Sequence, residues 1–183
     1  MDVFSPAQIM GYVAFLLGAG GFLQKDDRRF KIFNIGQCLA YVVHFALLGN
    51  PTASASSIVS GTRSLLALKT RSPVVAVIMA SICMILGGIF ARDALAWLPV
   101  VGSTVATLAI FLLSGIPMRL ALLFSTVLWL TNNILSGSIG GGMLEGTIAV
   151  ANISTMIRLY RNGRIPAAQP ETPSAGTSPK PCL

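Results

Sequence analysis

Long apolar runs follow one another along the chain, separated by short polar segments. A membrane-spanning helix needs about 20 mostly apolar residues, and the runs are close to that length. The pattern therefore predicts an all-α, polytopic membrane protein with seven transmembrane helices. The predicted spans are residues 6–23, 30–48, 52–69, 73–91, 94–114, 118–136 and 139–160.

The third span carries several serines and Arg63, and hydropathy alone would omit it. The distribution of basic residues favours keeping it. With seven spans, all but one of the loop-flanking basic residues fall on one side, and only Arg92 falls on the other. The positive-inside rule then predicts an N-terminus outside the cytoplasm and a C-terminus inside. The residues on the basic side are Lys25, Arg28, Arg29, Lys31, Lys69, Arg71, Arg119, Arg158, Arg161 and Arg164.

Composition supports a lipid environment. The chain has 183 residues, of which 54% are hydrophobic and 10% charged, and its mean hydropathy is +0.75. Soluble domains carry about 25% charged residues. The net charge of +7 lies in short clusters between apolar runs, which argues against nucleic acid as a partner and for the lipid bilayer.

The sequence contains no recognisable motif for catalysis or metal binding. The three cysteines lack metal or redox spacing, and His44 alone cannot build a multi-histidine metal site. HExxH, GxSxG and paired acidic motifs do not occur in the predicted spans. We therefore predict that the protein is not an enzyme and holds no metal or cofactor.

Two parts of the chain resemble each other at an offset of 88 residues. Each part has three spans, a basic first loop and an uncharged second loop, and the fourth span restores the orientation between them. This predicts two parallel three-helix repeats joined by a linker helix, a 3+1+3 arrangement found in transporters with a central site. The aligned pairs are Lys31 with Arg119, Tyr41 with Trp129, His44 with Asn132, Leu47 with Leu135, and Gly49 with Gly137. The predicted domains are 1–72, the linker 73–92, 93–160, and a Pro-rich, disordered cytoplasmic tail at 161–183.

Strongly polar residues inside predicted spans are candidates for a ligand site, because such groups usually face a bundle interior or a cavity. His44, Asn132, Asn133 and Glu145 are predicted to form an outer polar layer, about 7–8 Å from the helix ends. Other interpretations stay open: a neutral hydrogen-bonded His44, asparagines that only join helices, and a carboxylate near the interface.

A deeper set comprises aromatic and inner polar residues. Tyr41 and Trp129 fall one turn below the outer layer, as ligand-stacking rings or plain packing. Arg63 and Asn152 lie about two turns from the inner ends of their spans, and Arg63 could instead snorkel to the interface. Ser60 belongs to a stripe that lines a polar path or packs helices closely; the stripe is Ser56, Ser60 and Ser64.

Several stretches resemble the YgjV family of bacterial inner membrane proteins, over residues from about 8 to 160. The resemblance implies a location in the bacterial inner membrane and no substrate. The stretches are KDDRRFK at 25–31, HFALLG at 44–49, KTRS at 69–72, LPVVG at 98–102 and NILSGSIGG at 133–141, with Arg63, Glu145, Gly146 and Asn152.

More distantly, the chain is similar to the MtN3-like group, with SWEET sugar transporters and PQ-loop proteins. That resemblance implies a 3+1+3 transporter whose halves rock around a central site. Asn152 matches the seventh-span asparagine of the sugar transporters, but their third-span asparagine is replaced here by Ser60, Arg63 or Ser64, and most of their midplane prolines are missing. A sugar substrate therefore does not follow.

Two functions stay open from sequence. The first is a small-molecule transporter with an unknown polar solute. The alternative is a non-transporting accessory or receptor protein, whose contact surface would be the basic loop 25–31; a membrane enzyme ranks third. A homodimer and a monomer fit equally well.

Overall fold

The computed structural model describes residues 3–22, 27–70 and 72–161. Within these ranges the secondary structure is seven α-helices and one short 3-10 turn, so the all-α class is confirmed. The helices are α1 Pro6–Phe22, α2 Asp27–Leu47, α3 Pro51–Leu66, α4 Pro73–Phe90, α5 Leu98–Leu112, α6 Gly115–Leu135 and α7 Ile139–Arg161, with the 3-10 turn at Leu95–Trp97.

Each predicted span coincides with a helix, and the bounds agree to within a few residues. The third helix exists despite its serines, and its start has a clear local cause. The Asn50 side chain accepts a hydrogen bond from the N–H of Ala53 at 3.0 Å, and Pro51 occupies the first helical turn. The predicted tail beyond Arg161 and part of the predicted basic loop, 23–26, lie outside the described residues.

Helix contacts close into a ring. Within each half the neighbours in sequence pack together, α1 on α2 on α3 and α5 on α6 on α7. The halves meet where α1 packs on α7 and where α3 packs on α5, and α4 packs on α3 and α5. Short connections make successive helices antiparallel. The N-terminal end of the bundle therefore holds the start of α1 and α7, and the C-terminal end holds the end of α7.

The surface of the bundle is apolar and much of its interior is polar. Leu16, Ile134 and Val150 are 66–70% exposed, whereas Gln8 and His44 are fully buried. A soluble protein places these residue classes the other way round. By length and hydropathy, three of the described helical segments suffice to cross a membrane, namely Pro73–Phe90, Leu95–Leu112 and Gly115–Leu135, and Ile32–Leu47 is a shorter apolar stretch. Seven crossings stay a prediction.

The turns after α2 and α6 have matching geometry. Gly49 and Gly137 adopt positive φ angles of 70° and 67°, a conformation that suits glycine at a helix C-terminus. In both turns the next N–H reaches back five residues to a carbonyl oxygen, at 2.9 Å for Asn50 and 2.8 Å for Ser138. These turns stand 88 residues apart and support the predicted repeat, although the division into two repeats and a linker stays a prediction.

Candidate functional site

A cavity of about 500 Å³ lies among α2, α3, α5, α6 and α7. Its volume falls in the range of small-molecule sites. Six of the nine predicted site residues line it: Tyr41, Ser60, Arg63, Trp129, Glu145 and Asn152. The lining continues to Asn34, Arg119 and Thr155, which lie towards the C-terminal end of the bundle.

Aromatic rings cover the cavity on the side of the N-terminal end. The rings of Tyr41 on α2 and Trp129 on α6 are nearly parallel, with an interplanar angle of 5° and centroids 6.4 Å apart. Phe45 packs against both, with centroid distances of 5.2 and 5.8 Å. Because α2 and α6 belong to different halves of the chain, these aromatic rings join the halves at the end of the cavity nearer the N-terminal end of the bundle.

Glu145 projects from the second turn of α7 and lines the cavity beside these rings. It is 7% exposed and makes no hydrogen bond or ion pair with any residue that the structure describes. The expected proximity to His44 does not become a hydrogen bond, since both ring nitrogens of His44 have other partners.

Arg63 reaches from α3 to α5. Its Nη1 donates to the Ser103 carbonyl oxygen at 3.4 Å and to Thr107 Oγ1 at 3.1 Å. Across the described ranges, Arg63 has no carboxylate within ion-pair distance. The guanidinium therefore lines the cavity without a counter-charge from the described part of the chain.

Asn152 and Ser64 fix the cavity wall near the C-terminal end. The Asn152 Nδ2 donates to the Arg119 carbonyl oxygen at 2.9 Å, and its buried Oδ1 has no hydrogen-bond partner among the described residues. Ser64 Oγ donates to Asn34 Oδ1 at 2.7 Å, which ties α3 to α2. Each of these two bonds therefore joins neighbouring helices within one half of the bundle.

A polar layer closes the bundle above the aromatic rings. The His44 ring lies between the Ala7 carbonyl oxygen at Nδ1 and Ser138 Oγ at Nε2, both at 2.6 Å. Because a carbonyl oxygen only accepts, Nδ1 carries a proton, and in the neutral ring Nε2 accepts from the Ser138 hydroxyl. Ser138 Oγ in turn accepts from the N–H of Gly141 at 3.1 Å, at the start of α7.

A second bond of the same kind crosses the bundle. The Nδ2 of Asn50 donates to Asn132 Oδ1 and to Ser136 Oγ, both at 2.9 Å. The His44–Ser138 pair and the Asn50–Asn132 pair are related by the 88-residue offset. His44 corresponds to Asn132, and Asn50 corresponds to Ser138. His44, Asn50, Asn132 and Ser138 are together termed the polar clasp.

Two further buried side chains flank the clasp. Gln8 Nε2 donates to the Gly137 carbonyl oxygen at 2.6 Å, and its Oε1 accepts from the N–H of Ile139 at 3.2 Å. The Nδ2 of Asn133 donates to the Trp129 carbonyl oxygen at 2.9 Å, within α6. Asn133 therefore lies beside the clasp and does not line the cavity.

A second pocket, of about 570 Å³, lies at the N-terminal end of the bundle and contacts the clasp at Asn50 and Asn132. Asn132 lines this pocket, while Trp129 lines the cavity. Asn132 follows Trp129 by three positions on α6, which corresponds to roughly 4.5 Å along the helix axis. The Asn50–Asn132 pair of the clasp and the aromatic rings therefore form a thin partition between the second pocket and the cavity.

Sequence reasoning missed several polar residues of this region. Ser103, Arg119 and Asn34 line the cavity, whereas the sequence indicated a role for Arg119 only in the topology and in the repeat. The Asn50-Pro51 pair is a recognisable helix start, but nothing in the sequence says that its amide also bonds Asn132. The described part of the chain holds no cluster of three metal-binding side chains.

Comparison with known proteins identifies the family of this chain. A family model described as bacterial inner membrane protein, of the YgjV type, matches residues 5–163, so the chain belongs to that family of bacterial inner membrane proteins. The chain is 39% identical over 181 residues to inner membrane protein YgjV of Escherichia coli (strain K12), covering 96% of this chain and 97% of that protein. No solved structure matches the chain. The resemblance to the family is confirmed, and the protein resides in a lipid bilayer.

Proposed function

We propose that this protein is a transporter of small polar solutes. The observation that carries the proposal is a cavity between the two halves of the bundle. At one end this cavity is closed by contacts that each join a residue of one half to a residue of the other. Parallel-repeat transporters bind their solute in such a place. Breaking the His44–Ser138 and Asn50–Asn132 pairs would connect the cavity with the second pocket while the helices stay intact.

The proposed orientation follows the distribution of basic residues. Arg158 and Arg161 end α7, whereas Arg92 is the one basic residue of the described ranges that lies in a connection at the N-terminal end. The positive-inside rule then puts the N-terminal end in the periplasm and the C-terminal end in the cytoplasm. In this orientation all seven helices cross the bilayer, and the cavity extends towards the cytoplasm.

Ligand-dependent stability is the first test. The purified protein is screened in detergent against sugars, amino acids and nucleosides, beside Asn152→Ala and a control, Thr147→Ala, whose side chain is exposed on the same helix. A ligand at 100 times its Kd stabilises the folded protein by about 2.7 kcal/mol. We expect a hit that the Thr147 variant retains and the Asn152 variant loses.

Locking the clasp separates transport from mere binding. In a background without the native cysteines, Asn50→Cys and Asn132→Cys are joined by a short thiol-specific crosslinker in proteoliposomes. We expect the locked protein to bind the hit but not to exchange it across the membrane, and reduction of the crosslink to restore exchange. The single variant Asn132→Cys is the matched control. Binding without exchange in the unlocked protein would instead support the receptor function.

A further inference from the structure

Two ionisable side chains of opposite type, one acidic and one basic, share the cavity without pairing with each other. Glu145 is more than nine-tenths buried and has no partner among the described residues. Within the described residues, Arg63 is bonded only to neutral oxygen atoms of α5. A charge inside a membrane protein is costly without a counter-charge, so each of these groups favours a ligand of the opposite sign.

The two charges stand at different depths. Glu145 lies six residues after the start of α7, and Arg63 lies twelve residues after the start of α3. Both helices begin after equivalent turns at the N-terminal end of the bundle. The difference corresponds to about 9 Å along the bundle axis, with the carboxylate nearer the N-terminal end.

Each charge has neighbours that suit a particular ionic group. Glu145 shares its end of the cavity with the rings of Tyr41 and Trp129, and aromatic faces next to a carboxylate attract an ammonium group. Arg63 shares its part of the lining with Arg119. Guanidinium groups are the preferred partners of carboxylate and phosphate oxygens.

We propose that the cavity binds a small zwitterion, with its ammonium group at Glu145 and its anionic group at Arg63. This inference rests on the proposed function and names the substrate class of the same site. A neutral sugar would provide no counter-charge for Glu145 or Arg63, and a simple cation or anion would provide one for only one of these two residues. A zwitterion compensates both within one molecule and adds no net charge to the cavity.

The test uses five zwitterions as probes: glycine, L-alanine, L-serine, β-alanine and γ-aminobutyrate. Binding to the full-length protein in detergent is measured by calorimetry, and the tightest probe is then compared with two derivatives. Acetylation of its amine removes the cation, and amidation of its carboxylate removes the anion. We expect each derivative to bind the native protein at least tenfold more weakly than the parent probe.

Charge-removing variants assign each end of the probe. In Glu145→Gln we expect the ratio of affinities for the parent probe and its acetylated derivative to fall at least tenfold. The ratio for the parent probe and its amidated derivative should stay unchanged. In Arg63→Gln we expect the opposite pattern, and Thr147→Ala should keep both preferences. A general loss of folding cannot produce this crossed pattern.

Several results would overturn the inference. The first is that none of the five probes binds. The second is that a derivative binds the native protein as tightly as its parent probe. The third is that both variants lose the preference over both derivatives to the same extent. The derivative comparison needs only the native protein, so a misfolded variant does not block the test. Exchange of a neutral sugar would refute the zwitterionic substrate class and support the transporter function. Binding of a zwitterion without its exchange would support the zwitterionic ligand and refute the transporter function.

Discussion

At the scale of residues, His44 is held from two distant parts of the chain. Ala7 fixes one ring nitrogen and Ser138 the other, and the ring has no exposed surface. A buried ring nitrogen that loses its partner keeps its desolvation cost, which is larger than the net gain from the bond itself. Ser138 is therefore a stabilising residue of the clasp as well as a cap of α7.

Replacing Ser138 by alanine tests this role. We expect Ser138→Ala to lower the free energy of unfolding by about 1–3 kcal/mol, because Nε2 of His44 is left unpaired. The measurement is an SDS titration of the protein in mixed micelles. Thr131→Ala is the control, since its hydroxyl is exposed and bonds only within α6. Equal effects of the two substitutions would contradict the stabilising role of the clasp.

At the scale of helices, a glycine allows α1 and α7 to pack closely. A Cβ atom on Gly140 would overlap the backbone carbonyl group of Gly11. Two positions along α7, a Cβ atom on Gly142 would meet nothing within 4 Å. One face of the glycine run of α7 is therefore part of the contact between the halves of the bundle.

The two glycines form a matched pair for substitution. We expect Gly140→Ala to destabilise the protein by about 1–3 kcal/mol through overpacking. Gly142→Ala should leave stability unchanged or raise it by about 0.5–1 kcal/mol, since alanine is the better helix former. Both variants are compared by the same SDS titration. A destabilisation by Gly142→Ala as large as that by Gly140→Ala would exclude this packing contact.

The turns after α2 and α6 offer a test of the repeat. Gly49→Ala and Gly137→Ala each force alanine into a left-handed conformation, at about 1–2 kcal/mol per residue. We expect similar losses of unfolding free energy from the two substitutions, because the turns have equivalent hydrogen bonds. Gly88→Ala on α4, where a Cβ would meet open space, is the control. Clearly unequal losses at the two turns would argue against equivalent structural roles.

Helices were more predictable from sequence than their contacts. The apolar runs and the residues between them, such as Gly49-Asn50-Pro51, indicate where helices begin and end, because length and capping are local properties. The partnership of His44 with Ser138 spans 94 residues and has no local signal. Hydropathy also places Glu145 inside a helix span but does not reveal which helix face turns towards the cavity.

At the scale of the whole molecule, the orientation in the membrane decides which compartment the cavity faces. Ala94 lies in the connection between α4 and α5, and Ser114 lies between α5 and α6. Both residues are exposed, and they lie at opposite ends of α5. They are therefore suitable reporters of the two faces of the membrane.

Thiol labelling of intact cells reports the orientation. In a background without native cysteines, we expect Ala94→Cys to react with a membrane-impermeant maleimide from outside. Ser114→Cys should react only after the cells are opened, because the positive-inside rule keeps that end in the cytoplasm. The reverse labelling pattern would invert the proposed orientation, and labelling of both sites from outside would contradict the proposed number of crossings.

The thinness of the partition between Trp129 and Asn132 has an electrical consequence. If solution fills the cavity and the second pocket, most of the membrane voltage falls across the clasp and its aromatic neighbours. A monovalent ion crossing that short distance would then gain or lose nearly the full 2.3 kcal/mol or so that 100 mV provides. A solute with balanced charges would cross the same layer with almost no net electrical work, so its exchange should proceed at equal rates in polarised and depolarised vesicles.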